Sequence, residues 1–219
     1  MNIEVRHRPA FACIFAELSR SGSITAEADA MATMSTNVGM ETHLAGGFFT
    51  ALKRRFFGKE SLCFNRFYLE QGETGEVVLT QNTPGDIAAV ELKQNSLCLS
   101  PGAFIAYKGR IEIGTKWAGI RSFINGFGLF RLVLSGTGTV WFGAYGGIME
   151  KQVQGEYIVD TNHLVAYDPD LNMKLQLSGG IFSSMFSGEG LVTRLEGTGR
   201  AYIQTRSLSG LAGWINPRL

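Results

Sequence analysis

No charge of one sign dominates this chain, no two cysteines stand close in sequence, and no apolar run is long enough to cross a bilayer as a helix. Each absence removes a class of protein. Twenty Lys and Arg against 19 Asp and Glu leave a formal net charge of +1, so the composition carries no electrostatic footprint for a nucleic-acid backbone. Cys13, Cys63 and Cys98 lack CxxC spacing and sit in apolar runs. They read as small core residues of a reducing compartment, which excludes a disulfide framework and a zinc site. The N-terminal "MNIEVRHRPAFACIF" mixes charges and Pro9 into its apolar residues, unlike a secretory signal. A cytoplasmic protein is the expectation.

Motifs of chemistry are scarce as well. His7, His43 and His163 show neither HxH nor HExxH spacing. There is no GxSxG elbow and no GxxxxGK[ST] loop, and "GFGLFR" lacks the third glycine of a dinucleotide fingerprint. No metal, cofactor or catalytic residue is expected. The nearest approach to an acid-base cluster is "VDTNHLVAYDPD", with Asp160, His163, Asp168 and Asp170. In a regular strand Asp160 and His163 face opposite sides, and Asp168-Pro169-Asp170 reads as a turn that satisfies its own backbone. An enzymatic reading rests on this segment alone and ranks behind binding.

What the chain does have is glycine: 28 of 219 residues, with only five prolines, nearly twice the usual share of ~7%. Between the glycines run short segments with apolar residues at every second position, among them "EVVLT", "AFIAY", "RIEIG", "LFRLVL", "TVWF", "HLVAY", "MKLQL" and "AYIQT". The fold class is all-β and predominantly antiparallel, with at most one or two short helices. One helix is expected around "FFTALKRRFF", 48–57. A hydrophobic share of 45% is enough to bury a core.

The segments repeat. Thr74-Gly75, Thr137-Gly138 and Thr198-Gly199 each precede an apolar strand, at offsets of 63 and 61 residues. A second column aligns Ala32, Ala106 and Ala166. Three internal repeats follow, about 1–90, 91–150 and 151–219, within one domain, and Gly75, Gly138 and Gly199 read as the turn that folds each unit.

"IVDTNHLVAYDPDL", "GEGLVTRLEGTGRAYIQTRS", "GLFRLVLSGTGTVWF" and "FGKESLCFNRFYL" together resemble the mitochondrial-biogenesis Aim family and its bacterial relatives, over essentially the whole chain. The resemblance implies a fold like that of the tryptophan RNA-binding attenuation protein (TRAP-like), with three antiparallel β-repeats around a pseudo-three-fold axis. It implies no enzymatic activity and no catalytic residues, and a shared fold does not carry over the RNA binding of that protein.

Between the two columns each repeat carries a glycine- and phenylalanine-rich excursion. Phe48, Phe49, Phe56 and Phe57 belong to the first, Ile120, Phe123, Ile124 and Phe127 to the second, and Ile181, Phe182, Met185 and Phe186 to the third. If exposed, they form an apolar contact surface; the alternative is that they close the ends of the fold as core. The functional expectation is a non-catalytic structural, assembly or partner-binding protein, self-associating as a homo-oligomer through these loops, with a protein partner or membrane surface as further contacts. The alternative is a small-ligand or nucleic-acid-binding module using a groove between repeats. For nucleic acid the best stretch is Lys108, Arg110, Lys116, Trp117 and Arg121, which Glu112 dilutes. Nucleic acid is therefore not the expected partner.

Overall fold

Alternation of apolar and polar side chains makes the first strands. In Cys13–Ser19 (β2) the side chains of Ile14, Ala16 and Leu18 are buried and their neighbours are not, and in Ser23–Glu27 (β3) Ile24 and Ala26 are buried in the same way. The computed structural model describes residues 1–44, 63–117, 130–177 and 191–216. Asn2–Arg6 (β1) pairs along β2. Met31–Met34 (β4), Val38–Leu44 (β5), Cys63–Leu69 (β6) and Thr74–Leu79 (β7) complete a first unit. A second unit has three long strands, Ile87–Leu99 (β8), Phe104–Trp117 (β9) and Phe130–Gly143 (β10). The third comprises Ile148–Asp160 (β11), Leu164–Tyr167 (β12), Asn172–Leu177 (β13) and Leu191–Gln204 (β14). A short helix, Leu208–Ile215 (α1), follows, capped by the Ser207 hydroxyl, which accepts from the Gly210 N–H. The strands make antiparallel sheets.

One pairing scheme recurs in the three stretches. β10 lies between β8 and β9. β14 lies between β11 on one side and β12 and β13 on the other. In the first stretch the long strands are broken: β7 pairs β2 and β4, while β6 pairs β3 and β5. Each scheme carries a register shift at a matching place, between Met31 and Thr33, at Phe104–Ala106, and between Leu164 and Ala166. The bulge moves the alanine column by one residue in the first unit. Ala106 and Ala166 stand opposite Trp141 and Tyr202, three residues beyond their Thr-Gly glycines, but Val78, at the matching place, stands opposite Thr33. Ala32 is the bulged residue, a backbone insertion that side-chain patterning does not register.

The expected Thr-Gly turns are not turns. Gly75, Gly138 and Gly199 lie inside β7, β10 and β14. In the second unit the reason for glycine is close approach between crossing backbones. Gly138 (φ +156°) pairs with Gly109 (φ +106°) of β9, and a Cβ on Gly138 would stand 2.1 Å from the Lys108 carbonyl oxygen. At Gly75 and Gly199 the space is taken by side chains instead, Val38 and Leu171.

The apolar core falls into three clusters, each of which takes side chains from more than one unit. Ile14, Leu18, Ile24, Phe67 and Leu79 of the first unit pack with Ile105 and Trp141 of the second. Phe104, Leu134 and Phe142 of the second pack with Phe64 of the first and with Val165 and Tyr202 of the third. Each such side chain contributes about 1.5–3 kcal/mol on burial. The sheets are also joined directly, β3 to β9 through Thr25↔Tyr107 and Ala26↔Ala106, and β8 to β12 through Leu99↔Ala166 and Cys98↔Tyr167.

A buried carboxylate ties three segments at the linkers. Asp86 takes Arg8 Nε and Nη2 on its two oxygens at 2.7 and 2.8 Å, and its Oδ1 accepts from the Ile87 N–H. Its backbone N–H donates to the Gly146 carbonyl, and its carbonyl accepts from Ala144.

Gly138→Ala is expected to cost more than the ~1 kcal/mol of an ordinary strand glycine, on the order of 2–4 kcal/mol, because the methyl group meets backbone that cannot rotate away. Urea denaturation checks it, with Gly102→Ala as reference for the backbone cost alone, since Gly102 has φ +75° but a Cβ there meets nothing within 4 Å.

Candidate functional site

The twelve apolar residues expected to form the contact surface, Phe48, Phe49, Phe56, Phe57, Ile120, Phe123, Ile124, Phe127, Ile181, Phe182, Met185 and Phe186, lie outside the described residues, as does the helix expected at 48–57. What is described is where their segments start and end. Leu44 is paired with Cys63, Trp117 with Phe130, and Leu177 with Leu191. Each segment thus joins the two strands of a hairpin, at matching places in the recurrent scheme.

The acid-base candidates are engaged in local structure. Asp160 caps the 3-10 turn Thr161–His163, its Oδ1 accepting from the Asn162 N–H at 2.7 Å. His163 Nδ1 lies 2.7 Å from the Gln204 backbone carbonyl oxygen, which can only accept, so Nδ1 carries the hydrogen of this bond. Asp168 holds Arg200 at three points: Oδ2 accepts from the backbone N–H at 2.9 Å and from Nε at 3.1 Å, and Oδ1 from Nη2 at 3.2 Å. The bonded carboxylate raises the pKa of Arg200. Asp170 is exposed. Among the described residues no group of three or more His, Cys, Asp and Glu is placed to hold a metal. In the basic stretch Lys108 and Arg110 are exposed along with Glu112, the side chains of Lys116 and Trp117 are not described, and Arg121 lies outside the described residues.

The feature that departs from the recurrent scheme is a free sheet edge. Phe104–Tyr107 and Leu164–Tyr167 are almost wholly buried, each joined on its outer side to the preceding unit. Their counterpart, β4, is exposed at all four residues, with Met31 38% and Met34 40% accessible. β4 has a partner on one side only, β7, among the described strands. β1, β5 and β13 are also paired on one side only among the described strands, and so is β11, on whose free side Ile158 is 57% and Tyr157 36% accessible. The edges of β4 and β11 are complementary by the chain's own rule. Residues 106 and 107 meet Ala26 and Thr25, and residues 166 and 167 meet Leu99 and Cys98. The matching places in the remaining pair are Thr33 and Met34 of β4 against Val159 and Ile158 of β11.

This arrangement spans nearly the whole chain, and so does its likeness to known proteins. The mitochondrial biogenesis AIM24 family matches residues 3–206. The chain belongs to this family. A protein of Streptococcus pyogenes serotype M6, described as uncharacterised, is 28% identical to this chain over 214 residues, covering 94% of this chain and 86% of that one. A crystal structure of a Streptococcus pyogenes protein superposes with a TM-score of 0.79 at 28% identity, covering 100% of this chain and 99% of that one. The family expected from "IVDTNHLVAYDPDL" and its companion motifs is thus borne out, and the AIM24 chain is mostly antiparallel β as expected. Met31, Met34, Tyr157 and Ile158 escaped the sequence reading because "MATM" is as apolar as its buried counterparts "FIAY" and "LVAY". Exposure depends on which strand lies alongside.

Asp168→Ala is expected to lower the stability of this AIM24 protein by about 1–3 kcal/mol, since it strands the Arg200 N–H and half-buried guanidinium together. Urea unfolding followed by tryptophan fluorescence checks it.

Proposed function

We propose that this AIM24 protein is a non-catalytic assembly protein whose copies join head to tail, β4 of one pairing with β11 of the next. The observation that supports it is β4: four consecutive exposed residues, two of them methionines, on an edge with no proline, lysine or other charge to blunt it. An unprotected apolar edge adds a strand where a complementary one is offered. The complementary edge lies at the other end of the same chain, in the register Thr33 to Val159 and Met34 to Ile158. Because the two edges differ, the contact is heterologous, and its copies close into a ring or run on as a filament according to the angle at each joint.

The Gly/Phe-rich segments 45–62, 118–129 and 178–190 supply a second apolar contact in this reading, for a protein partner or a membrane surface, with Phe123 and Phe182 as test positions. We place this role in the cytoplasm, in keeping with three cysteines that stand far apart in sequence without CxxC spacing.

In a Cys13→Ser, Cys63→Ser background, mixing separately purified Met34→Cys and Ile158→Cys chains under mild oxidation is expected to give disulfide-linked dimers. A link that forms only within the doubly substituted chain, and never on mixing, means that one copy closes on itself and refutes the head-to-tail contact. Light scattering is expected to show an oligomer that Ile158→Lys reduces in mass. Phe123→Ser with Phe182→Ser is expected to leave that mass unchanged and to weaken sedimentation with lipid vesicles or capture of a partner.

A further inference from the structure

Three arginines of this chain grip a carboxylate with the same two atoms. Nε and Nη2 of Arg6 take Glu4 at 3.0 and 2.9 Å, those of Arg8 take Asp86 at 2.7 and 2.8 Å, and those of Arg200 take Asp168 at 3.1 and 3.2 Å. Arg6 sets both atoms on Oε2 alone, whereas Arg8 and Arg200 spread them over the two carboxylate oxygens, the side-on fork of the guanidinium, matched in width to two oxygens of one carboxylate or phosphate. Arg131, near the start of β10, has the same fork and nothing on it. The residue is 3% accessible, and both Nε and Nη2 are buried without a hydrogen-bond partner. Arg194 Nε is also without a bond, but that guanidinium has Glu156 and Glu196 beside it.

A buried guanidinium without a counter-charge is costly, several kcal/mol in a protein interior. The groups that act on Arg131 electrostatically are Tyr167 and Cys98. Burial raises the pKa of the Tyr167 phenol, so it stays protonated and brings no compensating charge. Desolvation accordingly lowers the pKa of Arg131 itself.

Arg131 lines a cavity of about 470 Å³ between the second and third units, a size that suits a small ligand. No lining residue is acidic, and Arg131 is the one charged residue in its described wall. Other polar groups of the wall are already bonded within the protein. The Ser100 hydroxyl donates to the Leu164 carbonyl, and Thr161 Oγ1 lies 2.9 Å from Thr193 Oγ1. Gln204 accepts from the Tyr145 N–H at 2.9 Å and donates to the Asn162 carbonyl at 2.8 Å. Ala144, Leu164 and Val165 supply an apolar wall. The arrangement lacks one thing, an oxyanion for the fork.

We propose that this cavity binds a small molecule through a carboxylate or phosphate group, taken side-on by Nε and Nη2 of Arg131 once the guanidinium, which is shielded from water as it stands, turns toward the cavity, with a compact apolar body against Ala144, Leu164 and Val165. The inference stands apart from the assembly reading, since it is read by ligand binding and not by mass.

The test is calorimetric titration of the full-length protein with two probes, inorganic phosphate and isobutyrate, accompanied by thermal melts. At least one probe is expected to bind saturably at one equivalent per chain and to raise the melting temperature; which one does so separates a phosphate from a carboxylate ligand. Arg131→Lys, which keeps the charge and loses the fork, is expected to weaken binding about tenfold. Arg131→Met is expected to abolish it while melting no lower than the wild type in the absence of both probes, because the charge it removes was unpaired. Arg110→Met, an exposed arginine, is expected to bind as the wild type does. Failure of both probes to saturate, or equal binding by wild type and Arg131→Met, overturns the proposal, as does an Arg131→Met chain that melts well below the wild type without either probe.

Discussion

A β-strand satisfies its backbone on one side only when another strand lies there, and this structure is organised by where that requirement is met. Within each unit the central strand is paired on both sides. Between units the requirement is met twice, at Ala26↔Ala106 and at Leu99↔Ala166, and these short ladders carry the apolar core from one unit into the next. Among the described strands it is left over at the sheet edges β1, β4, β5, β11 and β13, and β4 is the one whose residues are all exposed although their counterparts are buried. "FIAY" and "LVAY" are buried where a strand of another unit lies alongside, and "MATM", equally apolar, is exposed where none does among the described residues.

The same economy governs the backbone at the strand crossings. Two glycines, Gly109 and Gly138, stand opposite one another where β9 and β10 approach most closely, and a side chain on either would displace carbonyl oxygens already committed to the ladder. The other units solve the same approach by packing a side chain, Val38 or Leu171, against a glycine of ordinary backbone geometry. A recurrent glycine can therefore answer to different local pressures while occupying one column.

Much of the all-β fold was legible because period-two alternation is a local signal. Strands such as "LFRLVL" and "HLVAY" fall where the pattern puts them, and the family follows from motifs spread over the chain. Three things were not legible. The bulge at Ala32 shifts a column by one residue without altering its apolar character. The Thr-Gly pairs look like corners, yet they run on as strand, because a glycine demanded by a crossing carries the same letter as one demanded by a turn. Arg131 is one arginine among many in sequence; only the fold shows that it is buried with its fork unfilled while Arg6, Arg8 and Arg200 have theirs occupied. The acid-base segment from Asp160 to Asp170 turned out to hold caps and an ion pair, roles that polar residues near turns take often.

The knot at Asp86 bears on the order in which the molecule can be completed. Its carboxylate finds Arg8 already synthesised, whereas its peptide group waits for Ala144 and Gly146, which leave the ribosome much later. Until the second unit has been synthesised, the N-terminal segment can close onto Asp86 but the linker beneath it has no seat. During vectorial synthesis the first unit therefore passes through an interval in which its strands are paired and its anchorage is incomplete, the interval in which a partly made chain has most apolar surface to offer its neighbours.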